Sequence, residues 1–350
     1  MTRLDSESST PARDGFAMPG EWAPHARSWM CWPCRPEAWG GPEGLAAAKD
    51  ASAEVARAIA RFEPVVMCAR PEDAAEARFE LGEQAEIAEY AMDDSWARDF
   101  GPTFLTDARG HVAGVQWRFN AWGGKYEPYA NDAVFATTLL KRLGRRYYAA
   151  PIFCEGGAIH SDGAGTLLTT EQCLLNPNRN PGRPRGEIED HLRAFTGAES
   201  IVWLGSGFAD RETDGHVDNI ACFAGPSRVI LGIYDDASHP NYAPARESLM
   251  RLENARGAGG DALEIVELKQ PRSVRARHDG TLLEASYINF YFCNGAVVMP
   301  AFGDPNDDAA RDALADLFPD REIVQVEATA IVQGGGGIHC ITQQEPKGHD

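Results

Sequence analysis

Cysteine is scarce and scattered, with eight residues in 350 and neither the density nor the spacing of a disulfide framework. That excludes a disulfide-stapled scaffold and makes a reduced, cytoplasmic chain the expectation. Long apolar runs are missing too. The longest, about Tyr287 to Phe302, is interrupted by Asn289, Asn294, Gly295 and Pro300 and reads as a hairpin rather than a membrane span. Basic charge is in short supply: 33 Lys and Arg face 52 Asp and Glu, for a formal net charge of −19. A nucleic acid or an anionic membrane demands a basic face, so neither is expected as a partner. There is no phosphate loop, and Gly205-Ser206-Gly207 does not complete a dinucleotide fingerprint. Cys31-Trp32-Pro33-Cys34 is a lone CxxC without the second ligand pair a zinc site needs or a thioredoxin-like setting. No cofactor and no metal are expected. Residues 1–13 are polar without an apolar segment, reading as a flexible tail rather than a signal peptide. No Pro/Ser-rich linker divides the remainder, so 14–350 reads as a single domain.

What the chain does have is a repeating alternation. Amphipathic helices are expected at about 43–62, 131–143, 186–195, 241–256 and 307–318, each followed within a few residues by a short β-like run. Those runs are 64–67, 147–153, 200–204, 263–266 and 322–326, with further strands at 166–169 and 228–233. Alternating strands and helices imply an α/β architecture. Five units of this kind suggest an internal repeat, with an ordinary open α/β sheet as the alternative. A local echo supports the repeat: residues 156–160 and 335–339 share the pattern GGxIH.

Candidate chemistry concentrates in a few stretches. Four glycines, Gly334 to Gly337, precede Ile338-His339-Cys340; backbone without Cβ atoms can close tightly on a small ligand, which makes Cys340 a candidate nucleophile or else a buried structural thiol. Asp93-Asp94-Ser95-Trp96-Ala97-Arg98-Asp99 sets a tryptophan among carboxylates, suited to a planar cation, though taken alone those residues favour a solvated turn with one buried tryptophan. Glu155 precedes two glycines at a strand end. In Glu212-Thr213-Asp214-Gly215-His216-Val217-Asp218-Asn219, an extended backbone would place His216 and Asp218 on one face, pairing an acid/base imidazole with a carboxylate. Asn120-Ala121-Trp122-Gly123-Gly124-Lys125-Tyr126 is an aromatic, glycine-rich loop fit to wall a pocket or to turn a corner. One thiol, one imidazole and several carboxylates suit a guanidinium better than a neutral amide, since an amide would need oxyanion donors.

These stretches, with Met18-Pro19-Gly20-Glu21-Trp22-Ala23-Pro24-His25 and Trp29-Met30-Cys31-Trp32-Pro33, occur in the order found in a known family. The chain resembles agmatine deiminases, within the guanidine-modifying superfamily that also holds bacterial peptidyl-arginine and arginine deiminases. The resemblance implies a five-bladed α/β propeller of pseudo-fivefold ββαβ units and a small cationic guanidino substrate, agmatine. It implies hydrolysis to N-carbamoylputrescine and ammonia through a cysteine thiouronium, serving polyamine metabolism such as putrescine biosynthesis. It implies Cys340 as nucleophile, His216 as general acid/base, Asp99 and Asp218 gripping the guanidinium, and Glu155 supporting substrate and histidine. Trp96 and Trp122 would line the pocket, and Glu212 would meet the distal amine; a homo-oligomer is expected from relatives. His25 and His339 are read as structural. At position 337 the family usually carries Asn where this chain has Gly, which puts the order of the loop in question. The alternatives are a peptidyl-arginine or arginine deiminase, which would favour a basic group at the pocket mouth, a cysteine-dependent amidase with a lysine near Glu and Cys, and a non-catalytic guanidine or polyamine binder.

Overall fold

The structure is a computed structural model, and it describes residues 9–348 apart from 210–211, 274, 277–279, 281 and 284. One pattern recurs through it. Thr103–Asp107 pairs antiparallel with Val112–Arg118, helix Asp132–Arg142 crosses over, and Arg146–Phe153 returns parallel to Val112–Arg118. A parallel return needs a crossover of a dozen or so residues, which the helix supplies. His160–Ser161, Thr166–Thr170, helix Arg185–Thr196 and Ser200–Leu204 repeat the order. So do Ala221–Gly225, Arg228–Ile233, Tyr242–Asn254 and Glu264–Lys269. A fourth instance is Tyr291–Cys293, Ala296–Ala301, Asp307–Leu317 and Glu322–Glu327. The fifth joins both halves of the sequence: Thr342–Pro346 pairs antiparallel with His25–Cys31, helix Pro42–Ala60 follows, and Val65–Ala69 lies parallel to His25–Cys31.

The local causes are ordinary. Helix Arg185–Thr196 buries Ile188, Leu192 and Phe195, spaced four and three apart on one stripe, and stops at Gly197, whose φ of 74° is left-handed. Val65–Ala69 is buried throughout because it lies between two parallel neighbours with both faces covered, so its sequence is a continuous apolar run rather than an alternation. All five expected helices are present within two residues at each end, and the expected hairpin forms at Tyr291–Cys293 and Ala296–Ala301. No helix among the described residues is long and apolar enough to cross a membrane.

One expectation is corrected. The segment holding His216 and Asp218 is not extended: Val217–Asn219 is a single 3-10 turn with His216 as its N-terminal flank. Ser9 to Arg13, at the end of the expected tail, lead into the short turn Ala12–Asp14, with Arg146 Nη2 donating to Ser9 Oγ at 3.2 Å. The tail's first eight residues lie outside those described.

Candidate active site

The candidate residues arrive on loops at strand ends. Trp96 and Asp99 come from the single helical turn Ala97–Phe100 and the residue before it; Glu155 follows the strand Arg146–Phe153; His216 and Asp218 come from the turn before Ala221–Gly225; Cys340 precedes Thr342–Pro346. Five of them, Asp99, Glu155, His216, Asp218 and Cys340, are at most 4 % exposed. They meet around Gly157. A Cβ there would lie 2.7 Å from His216 Nδ1, 2.8 Å from Asp218 Oδ2 and 2.9 Å from Asp99 Oδ1, so only glycine leaves the three groups room.

Each side chain is held by named partners. Asp99 Oδ2 accepts from Trp122 Nε1 at 2.8 Å, and its Oδ1 accepts from Gly157 N at 3.0 Å while lying 3.7 Å from His216 Nδ1. Glu155 Oε1 accepts from Arg179 Nε at 2.6 Å, and its Oε2 lies 3.6 Å from His216 Nε2. Asp218 Oδ2 is bonded to His339 Nδ1 at 2.9 Å and lies 3.5 Å from Cys340 Sγ, while its Oδ1 is buried without a hydrogen-bond partner. Both ring nitrogens of His216 are likewise buried and make no hydrogen bond. Unsatisfied buried polar atoms are rare in folded proteins and ask for a cause. Here Asp218 Oδ1 is a free acceptor on the carboxylate beside the Cys340 thiol, a receptor for a ligand rich in N–H donors.

The way in is a narrow pocket lined by Trp96, Asp99, Trp122, Tyr126, Glu212 and Cys340, among others. Trp96 stacks on Trp39 with ring centroids 5.3 Å apart. Trp122 sits at φ 56°, uncommon for a bulky residue, in a loop capped by Asn120, whose side chain accepts from Gly123 N at 2.9 Å. At the mouth, Tyr126 Oη donates to Glu212 Oε2 at 2.5 Å, and Lys125 Nζ is paired with Asp214 at 2.9 Å.

A profile of the Porphyromonas-type peptidyl-arginine deiminase family matches residues 17–346. The chain belongs to this family. Within it, the agmatine deiminase of Stutzerimonas stutzeri is 44% identical over 360 residues, 97% of each chain. That of Pseudomonas aeruginosa is 44% identical over 98% of this chain and 99% of its own. Among solved structures, the agmatine deiminase of Enterococcus faecalis aligns with a TM-score of 0.94 at 36% identity, covering 99% of this chain and all of that one. A substrate-bound agmatine deiminase of C. jejuni with serine in place of a cysteine aligns at 0.86 with 26% identity, over 96% of this chain and 97% of that one. Relatives this similar over nearly the whole chain make it a hydrolase acting on C–N bonds.

The electrostatics of this family member divide the cluster in two. Burial opposes the ionised form of every carboxylate here. For Glu155 the Arg179 guanidinium and His216 outweigh burial and bring its pKa down to about 2. For Asp218 burial is outweighed by His339, and the group stays below the usual carboxylate range. For Asp99 burial prevails, reinforced by the charges of Asp218 and Glu155, and its pKa is raised. Burial opposes the imidazolium of His216, but Asp99, Cys173 and Glu155 raise its pKa well above the usual value. The Cys340 thiol is pushed well up by burial, then by Asp218 and Asp99, so without a ligand it is a neutral thiol. Cationic charge between those carboxylates would reverse the last effect.

Several supporting residues were not legible in the sequence. Arg179, fully buried in the run Asn176 to Pro181, reads there as a polar turn; it binds Glu155, Asp214 and the carbonyl of Thr213. Arg98 donates to Glu21 Oε1 at 3.1 Å and to Gln344 Oε1 at 2.7 Å, and its backbone N donates to the carbonyl of Cys340 at 3.1 Å. Glu21 in turn meets His339 Nε2 at 2.9 Å. Asn289 settles the question of Gly337. Its Nδ2 donates to Cys340 Sγ at 3.3 Å and its Oδ1 accepts from His339 N at 2.9 Å; a Cβ at position 337 would lie 2.3 Å from that oxygen. The side chain that orders the nucleophile loop therefore comes from across the cluster, and glycine at 337 makes room for it.

Proposed function

We propose that the protein is an agmatine deiminase that converts agmatine to N-carbamoylputrescine and ammonia. One observation carries the reading: a thiol 3.5 Å from a carboxylate whose second oxygen is unpartnered, within a buried ring of acidic groups at the foot of a tryptophan-lined pocket. A guanidinium fits this receptor because it is planar, permanently cationic and carries N–H donors in a fixed fork. It sits between Asp99 and Asp218. Its charge cancels theirs, the Cys340 proton passes to solvent, and the thiolate attacks the guanidinium carbon. His216, held as imidazolium, protonates the departing nitrogen, and ammonia leaves. The neutral imidazole then takes a proton from water, which attacks the thiouronium carbon. The thiolate is expelled and takes back the hydroxyl proton as the Cys340 thiol, and the C–N unit becomes the ureido group of the product. Glu155 and Arg179 hold His216 in place.

Substrate choice lies at the mouth. Glu212 faces the pocket with Tyr126 on one oxygen, and its carboxylate meets the distal ammonium of agmatine. Arginine would bring a carboxylate to the same place. Among the described residues, Lys125 at the mouth is paired with Asp214, and the buried cation beside Glu155 is an arginine rather than the lysine of a cysteine-dependent amidase. The five hairpin–helix–strand units supply the loops of the site, and we take them as blades of a five-bladed propeller around it. Ammonia release from purified protein offered agmatine, free arginine and a peptide ending in arginine tests the substrate assignment. Release with agmatine alone is expected. Release with arginine or the peptide alone would move the substrate, and silence with all three would leave a non-catalytic binder.

A further inference from the structure

We propose that Glu155, Cys173 and His216 form an inhibitory site for a thiolate-binding divalent transition metal, with Zn²⁺ as the type ion. Cys173, from the short helix Glu171–Leu174, has no part in the deimination chemistry, yet it is fully buried with its Sγ 3.8 Å from Glu155 Oε2. The same carboxylate oxygen lies 3.6 Å from His216 Nε2, and the three ligand atoms lie within 4.8 Å of one another. Ligands at Zn–O, Zn–N and Zn–S bond lengths of about 2.0 to 2.3 Å in a tetrahedron stand roughly 3.3 to 3.6 Å apart, so the two separations to Glu155 need a few tenths of an ångström and the sulfur–imidazole separation at most about 1.3 Å to close the set. Sulfur, imidazole and carboxylate together select zinc and its neighbours over magnesium or calcium.

The independent observation is His216 itself. The ring is wholly buried, and neither nitrogen makes a hydrogen bond. Its other nitrogen, Nδ1, faces Asp99 Oδ1 at 3.7 Å, and the other oxygen of Glu155 accepts from Arg179, so both would-be ligands already have an outer partner of the kind that orients metal ligands. Three protein ligands leave a fourth position for water. Asp99 both lines the pocket and faces His216, so the three ligands lie one residue behind the pocket wall.

Occupation would take His216 out of acid/base service, so the inhibitory part rests on the function proposed above; the binding part does not. The test uses Co²⁺ as a spectroscopic probe alongside Zn²⁺ inhibition of ammonia release. In metal-free wild-type protein, one equivalent of Co²⁺ is expected to give a thiolate-to-metal charge-transfer band that Zn²⁺ abolishes. Cys340→Ser should keep the band. Cys173→Ser should lose it, and its Zn²⁺ inhibition constant should rise at least about tenfold. The proposal is overturned if no band appears, if the band survives Cys173→Ser, if it vanishes with Cys340→Ser, or if Zn²⁺ binds without slowing turnover. Should Cys173→Ser not fold, the Cys340→Ser spectrum decides alone. The band needs no turnover, so a failure of the deiminase reading would be seen separately.

Discussion

Two loops of this molecule carry nearly the same six residues and do different work. Residues 156–161 read Gly-Gly-Ala-Ile-His-Ser and residues 335–340 read Gly-Gly-Gly-Ile-His-Cys. Both histidines converge on Glu21: His339 Nε2 lies 2.9 Å from it and His160 Nε2 3.5 Å, with the two rings stacked at 6.2 Å. Beyond that the loops part. His339 turns its other nitrogen to Asp218, whereas His160 Nδ1 accepts from Phe223 N at 3.3 Å. Cys340 faces the carboxylates, while Ser161 donates to the carbonyl of Met18 at 3.0 Å. The first loop supplies room, at Gly157; the second supplies the nucleophile. A repeated backbone can thus place two side chains alike and leave chemistry to the last residue.

Making the loops end alike should have the largest effect. Cys340→Ser should reduce turnover at least about a thousandfold, because an alcohol is a far weaker nucleophile than a thiol at neutral pH, with agmatine binding retained by calorimetry. Ser161→Ala in the other loop should stay within about twofold; retained turnover in Cys340→Ser would remove the nucleophile assignment. Next comes Gly157→Ala, whose methyl would press on His216, Asp218 and Asp99 together. A loss of about a hundredfold in kcat/KM is expected from sub-ångström misplacement, with an unchanged circular dichroism spectrum. Normal kinetics would show that the cluster is looser than it looks.

A pair of histidine variants separates the loops more finely. His339→Asn removes the partner that holds the Asp218 carboxyl below its usual range. The carboxyl pKa then rises, so the acid limb of kcat/KM should move to higher pH and the KM for agmatine should rise by about tenfold. His160→Asn should leave that limb in place, and equal shifts would mean that both act only through Glu21. The smallest effect lies outside both loops. Glu212→Gln should raise KM several-fold, at most about tenfold, with little change in kcat, as expected for a contact made equally in ground and transition states. An unchanged KM would take Glu212 out of the amine subsite.

Much of this was legible before the structure. The helices were legible because each buries one stripe, as Ile188, Leu192 and Phe195 do, and the strands because they are short apolar runs between turns. The candidate site residues were legible by type and motif order, yet the pairing of His216 with Asp218 has a different local cause from the one expected, a 3-10 turn instead of a strand. Glu21, Arg98, Arg179 and Asn289 were not legible as site residues. Arg98 meets Gln344 across 246 residues of sequence and Glu21 meets His339 across 318, and no local periodicity encodes such a meeting. Gly337 shows the same limit from the other side. Alone it looks like a lost side chain; beside Asn289 it is the space that side chain needs.

The pairing of Thr342–Pro346 with His25–Cys31 has a consequence for the order in which the enzyme comes into being. Synthesis proceeds from the N-terminus, so Asp99, Glu155, His216 and Asp218 all leave the ribosome more than a hundred residues before Cys340. The thiol is seated only when the strand just after it docks on one made about three hundred residues earlier, a contact whose loop-closure cost must be met late. A nascent chain therefore holds the acidic residues without their nucleophile, and completing this sheet is also the step that brings the thiol to them.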